Sequence, residues 1–248
     1  MTSIHNSTAS DSEIEKTVGF LDHLEELRKR LLRCIVAIGI VSIGALYFGE
    51  EILKYFMMPM GAVTLHYTEI GGAFSSYFKV ALLAAVVISA PYIFWQLWGF
   101  IAPGLYRRER MVALVAISAS SILFLIGAAF CFYIVLPYTV SYLVTFEQEL
   151  FTPIITIDNY ISFAGWMIVS FGAGFTMPVI AYFLAKIGLI TVSTLTSARR
   201  VSLVIILFLA AILTPSPDIL SQLSLAIPLY ALYEVSVLVV WVATRRDT

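Results

Sequence analysis

Charge is scarce in this chain. Asp, Glu, Lys and Arg make up 12% of the residues, against about 25% in ordinary soluble domains, too few to clothe a water-facing fold. Histidine and cysteine are scarcer still, at three and two residues. His5, His23 and His66 are spread over a polar tail, a first helix and a later loop, so no metal set can be drawn from them. Cys34 and Cys131 lie in apolar stretches, where a cysteine packs as a small hydrophobe, and no disulfide or metal partner stands near either. There is no GxSxG, no HExxH, no phosphate loop and no pair of carboxylates inside the apolar blocks. Catalysis and a bound cofactor or metal are therefore not expected. Residues 1–19 also lack the basic start and apolar core of a secretory signal peptide, and they read as a mobile polar tail. Within that tail Asn6-Ser7-Thr8 matches a glycosylation acceptor by pattern alone.

What is abundant is apolar surface, 60% of the residues. It falls into six blocks at 31–48, 74–100, 111–136, 161–185, 201–213 and 223–243, the mark of an integral membrane protein. Each block should be a helix, because lipid offers no partner for the open edge of a sheet and the ten-residue alternation of a barrel is absent. The expected fold is thus an all-α polytopic membrane protein with six transmembrane helices and no soluble domain.

The charges that exist are sorted by side. Lys16, Arg28, Lys29, Arg30 and Arg33, then Arg107, Arg108 and Arg110, then Lys186, Arg199 and Arg200, then Arg245 and Arg246 occupy alternate connections, and only Lys54 and Lys79 fall between them. The positive-inside rule then predicts both termini and the second and fourth connections to be cytoplasmic. These short cationic loops are accounted for by topology, which leaves no case for nucleic-acid binding. The opposite connections, 49–73 and 137–160, are long enough to hold short helical pieces that cap the bundle.

Several local features stand out. The segment 20–33 is amphipathic: Phe20, Leu24, Leu27 and Leu31 recur at helical spacing, and Glu25 with Lys29 and Glu26 with Arg30 form i,i+4 pairs. Pro91, Pro178 and Pro228 sit inside spans, and Gly172 and Gly174 permit close helix contact or bending near Pro178. The fifth block has thirteen apolar residues, roughly 20 Å of helix against roughly 30 Å of hydrocarbon, so a thinned membrane is expected around it. Glu109, among Arg107, Arg108 and Arg110, is explained as an acid at the head of the third helix without any ligand. Glu234 is costly if it faces lipid, so it should meet protein, a wet cavity or a polar group near Gln222, Thr176 or Tyr233. A functional carboxylate and a buried hydrogen-bonding group compete as readings of it.

Three strings carry a family resemblance: HLEELRKRLL at 23–32, SAPYIFWQLWGFIAPGLYRRER at 89–110 and LTPSPDILSQLSLAIPLYALYE at 213–234. In order and spacing they closely resemble the TatC family, the receptor core of twin-arginine translocation, from about residue 21 to residue 245. That resemblance implies a bundle shaped like a cupped hand with short fifth and sixth helices, spanning residues 20–246 after the tail. It also implies a Sec-independent translocase subunit of the bacterial inner membrane, multi-pass, with both termini cytoplasmic. Such a subunit exports folded proteins on the proton motive force.

By motif, the resemblance places signal-peptide binding at Glu26, Arg28, Phe100, Pro103, Leu105, Tyr106 and Glu109. It places docking of the single-span partners TatA and TatB at Thr214, Asp218 and Gln222, and implies self-association in the receptor complex. One position departs: where many members read FExP, this chain reads Phe175-Thr176-Met177-Pro178, with Thr176 in place of the glutamate. Thr176 is expected to bond the carbonyl of Gly172 in its own helix, in a concave wall that bent helices keep wet. Two other readings of the chain remain. A small secondary transporter would use Glu234 and the helices around Pro91 and Pro178 but shows no inverted repeat, and a scaffold would lack peptide specificity.

Overall fold

The computed structural model describes the backbone of residues 7–61, 65–67, 71–101, 109–145, 155–213 and 219–245. Nine α-helices carry these residues: α1 Ser7–Tyr47, α2 Gly49–Phe56, α3 Gly72–Ile101, α4 Glu109–Phe130, α5 Leu136–Thr145, α6 Ile157–Lys186, α7 Val192–Ser197, α8 Arg199–Leu213 and α9 Ile219–Arg245. Five stretches among the described residues are long and apolar enough to cross a membrane: Asp22–Tyr47, Gly72–Ile101, Leu114–Thr145, Ile157–Lys186 and Ser221–Arg245. The fifth apolar block is not among them. It forms α8, whose 15 residues rise about 22 Å. Its partner α9 is not short: at 27 residues it passes through Pro228 and runs to Arg245, about 40 Å. The expectation of a short sixth helix fails because apolar sequence continues on both sides of that proline. Arg245 at the last turn lies 4.1 Å over the ring of Trp241, a cation at the helix end where the dipole favours it.

α6 is the centre of the bundle, packing on α3, α4 and α9. Thr156 caps it, the side-chain oxygen accepting from the Asn159 N–H, while Asp158 sits in the first turn and Lys186 in the last. Its residues Ala164, Met167 and Phe171 are wholly buried, together with Leu136 of α5 and Leu225 of α9. Small residues set the spacing. A side chain at Gly127 of α4 would lie 2.7 Å from the Phe171 carbonyl, and one at Gly172 would lie 2.6 Å from the Phe124 ring. The close contact expected at Gly172 is therefore made, against α4.

Among the described residues α1 is joined to the bundle chiefly by α3. It starts at Ser7, ahead of the amphipathic segment at Phe20. Leu24, Leu27 and Leu31 of that segment are exposed, whereas Cys34 and Ala45 are buried. The apolar stripe faces outward, and the side turned to α3 is polar at the helix's basic end and small-residue further along.

The opposite end of the bundle is capped as expected. α2 and a 3-10 turn at Met58–Met60 follow α1, and the Tyr160 hydroxyl donates to the Phe56 carbonyl at 2.8 Å. His66 exchanges two backbone bonds with the other long connection, accepting from Ile157 at 2.9 Å and donating to Ile155 at 3.0 Å. Exposed Glu50 and Lys54 pair at 2.5 Å on α2; that hydrogen bond lowers the Glu50 carboxyl and raises the Lys54 ammonium from their ordinary pKa values. Between α4 and α5 a π-helical turn, Cys131–Val135, interrupts the α pitch. It sets the Tyr133 hydroxyl against that of Tyr55 on α2. Cys34 and Cys131 are both free and buried, as their apolar surroundings implied.

Candidate functional site

The basic end of α1 meets the last turns of α3, and three α1 residues on one helical face, His23, Glu26 and Arg30, make the junction. Arg30 donates to a single oxygen of Glu26, Oε1, from both Nε at 3.0 Å and Nη2 at 2.7 Å. Its third nitrogen, Nη1, reaches α3, at 3.4 Å from Gln96 Oε1 and 3.5 Å from the Gln96 carbonyl. The other Glu26 oxygen, Oε2, lies 3.9 Å from His23 Nδ1, beyond hydrogen-bonding reach. His23 itself stacks on Phe100, ring centroids 4.1 Å apart and planes 13° off parallel. Gln96 is buried, and the Glu26 and Arg30 side chains are 33% and 21% exposed, so this carboxylate is half withdrawn from water. One oxygen is held, and among the described residues the other has no hydrogen-bond partner.

Arg28 does not join this cluster. Two residues from Glu26 it falls on another side of the helix, where it is exposed. Glu25 and Lys29 form a separate exposed pair at 2.8 Å. Glu109 opens α4, as its place at the head of the third helix required, but its side chain lies outside the described residues, as do Pro103, Leu105 and Tyr106. Of the sequence-assigned site, then, Glu26 and Phe100 share one junction. His23 and Gln96 were missed. A lone Gln inside an aromatic apolar run, YIFWQLWGF, was the signal available for Gln96.

Thr214 and Asp218 lie outside the described residues. Gln222 donates from Nε2 to the Leu207 carbonyl at 2.9 Å, tying the start of α9 to α8. Thr176 is 3% exposed and donates to the Ala173 carbonyl at 2.7 Å. The expected bond to Gly172 is thus displaced by one residue, and the hydroxyl is buried instead of lining an open wet wall. Glu234 is held by neither Gln222 nor Thr176. Its Oε2 accepts from Arg199 Nη2 at 2.8 Å and its Oε1 accepts from the Tyr230 hydroxyl at 3.1 Å. Arg199 heads α8, so this acid is matched near the basic end of the bundle, and its costliest arrangement, facing lipid unpaired, is avoided. Among the described residues no cluster of His, Cys, Asp or Glu is placed to hold a metal ion.

Comparison with known proteins bears on the whole bundle. The family model for Sec-independent protein translocase protein (TatC) matches residues 22–228. A Sec-independent protein translocase protein TatC of Helicobacter pylori is 42% identical over 217 residues, covering 88% of this chain and 85% of that protein. One of Campylobacter jejuni is 42% identical over 225 residues, covering 88% and 91%, and the TatCy protein of Bacillus subtilis is 34% identical over 232, covering 92% and 91%. The fold superposes on a crystal structure of the twin-arginine translocase receptor TatC with a TM-score of 0.81 at 36% identity, over 90% of this chain and 99% of that one. Sequence and fold agree along nearly the same residues: the chain belongs to the TatC family of Sec-independent protein translocase components, a family of multi-pass helical membrane proteins that transport proteins and are not enzymes.

Proposed function

We propose that this chain is the receptor that binds twin-arginine signal peptides and, with TatA- and TatB-like single-span partners, exports folded proteins on the proton motive force. In this reading it crosses the bacterial inner membrane six times, α8 included, with both termini cytoplasmic and residues 1–19 preceding a transmembrane domain of residues 20–246. The observation that carries it is the half-buried Glu26 carboxylate at the α1–α3 junction, with one oxygen held by Arg30 and the other presented beside Phe100.

A signal arginine offers a planar guanidinium that a carboxylate accepts in a directed, charge-assisted bond, which a lysine ammonium matches only as a point charge. Glu109, at the other side of the connection that begins after Ile101, supplies the second acid for the second arginine. Arg28, Phe100, Pro103, Leu105 and Tyr106 complete the peptide surface, and Thr214, Asp218 and Gln222 form the partner-docking edge where α8 meets α9. The transporter alternative loses its residue, because Glu234 is already matched by Arg199 and Tyr230.

Purified protein in lipid nanodiscs should bind a twin-arginine signal peptide more tightly than its twin-lysine counterpart. Glu26→Gln and Glu109→Gln should each weaken that binding about ten- to a hundredfold, the worth of one partly shielded charge-assisted contact. Equal affinity for the two peptides in the parent protein, or unchanged crosslinking in both variants, overturns the reading.

A further inference from the structure

We propose that Gly99 and Gln96 are specificity-determining positioning residues, which seat the Arg30 guanidinium on α3 so that it fixes Glu26 in the orientation that receives a signal arginine. This rests on the receptor reading above.

The seat is visible from both sides. Arg30 spends Nε and Nη2 on one oxygen of Glu26 and turns Nη1 toward the Gln96 side chain and carbonyl. That nitrogen occupies the space over Gly99: a Cβ there would run into Nη1 and lie 3.1 Å from Cζ. Only a glycine leaves room for the guanidinium to lie on the helix at this point. Gln96 is 6% exposed, so its amide oxygen is a fixed acceptor and not a mobile surface group.

The consequence for Glu26 follows from the atom that is used. A guanidinium bridging both carboxylate oxygens would fill the acceptor and shut it against a second arginine. Here both bonds converge on Oε1 and hold that oxygen, while Oε2, 3.9 Å from the stacked His23, has no hydrogen-bond partner among the described residues. Positioning matters for an arginine ligand in particular, because directed bonds to a planar fork depend on orientation whereas attraction to an ammonium depends mainly on distance. Gly99 and Gln96 touch no ligand in this account; they act through Arg30.

The expected signature is a change in preference more than in overall binding. With the full-length protein in nanodiscs, Gly99→Ala and Gln96→Leu should each lower affinity for a twin-arginine signal peptide about tenfold and leave affinity for the twin-lysine peptide within twofold. Gly99→Ala should remain folded, because the atom it displaces is the end of a flexible side chain and alanine suits a helix interior better than glycine. Gln96→Leu, close in volume, provides the same reading should the alanine variant fail to assemble. A double-mutant cycle separates this role from general packing: in an Arg30→Ala background, Gly99→Ala should have no further effect. If the parent protein does not distinguish the two peptides, the receptor reading fails and this inference with it. If the parent does distinguish them, three results overturn the inference alone: unchanged preference in both variants, equal loss for both peptides, or tighter arginine binding when Arg30 is displaced.

Discussion

Thr176 stands in α6 at the place where many relatives are expected to carry a glutamate, and its surroundings fit the smaller residue. The hydroxyl is satisfied by the Ala173 carbonyl one turn back, and the side chain is 3% exposed, so nothing there is built to solvate a charge. Thr176→Val should leave export of a folded reporter nearly unchanged, losing one local hydrogen bond worth about 1 kcal/mol. Thr176→Glu should cost about 2.5–3.5 kcal/mol, read as a lower melting temperature and a smaller monodisperse fraction in detergent. An export-competent glutamate variant of undiminished stability would show that water reaches this wall. That a threonine there would bond its own helix was legible from the residue alone. Which carbonyl it takes, and that the wall closes over it, depends on packing that no local pattern encodes.

At the scale of helices, hydropathy located every apolar block, because a run of apolar residues in lipid has no alternative to intrahelical bonding. It did not reveal the π-helical turn at Cys131–Val135, since an i→i+5 bond leaves no mark on composition. Nor did it show which way α1 faces: the amphipathic pattern marked Leu24, Leu27 and Leu31 as one stripe, but in a membrane protein such a stripe can turn to lipid as readily as to a core. The short fifth block was legible by counting, and its contacts now sharpen what lengthening it would do. Four leucines inserted in α8 between Arg199 and Leu207 would extend it by about 6 Å and turn these two residues against each other by about 40°. The Arg199–Glu234 pair near one end and the Gln222–Leu207 contact nearer the other then cannot both survive. Such a variant should insert normally yet lose export, with depth-dependent spin labels reporting a thicker bilayer beside α8. Retained transport with unchanged local thickness would deny the mismatch any role.

For the molecule as a whole, the alternation of basic connections gave a topology to test, and the residues of the α1–α3 junction were half visible: Glu26 and Phe100 were assigned through their strings, whereas His23, Gln96 and Gly99 stood in the same strings without a role. Contacts such as Arg30 with Gln96 join residues 66 apart, and only the folded bundle brings them within reach. That bundle is arranged so that α6 fills the space between α3, α4 and α9, and this has a consequence for the order in which the chain is made. Synthesis delivers α1 to α5 to the membrane before their central neighbour exists. Until residues 157–186 emerge, the surface of α4 around Gly127 has lipid where Phe171 and Phe175 will later sit, and the π-helical turn at Cys131–Val135 lacks its contact with α6. A chain released after residue 150 should therefore be cleared rapidly by membrane proteases, whereas one released after residue 190 should persist several times longer in a pulse-chase. Equal lifetimes would mean that the first half holds together without its centre. The emergence of α6 is thus the moment at which a growing chain becomes distinguishable, to the cell's surveillance, from a failed one.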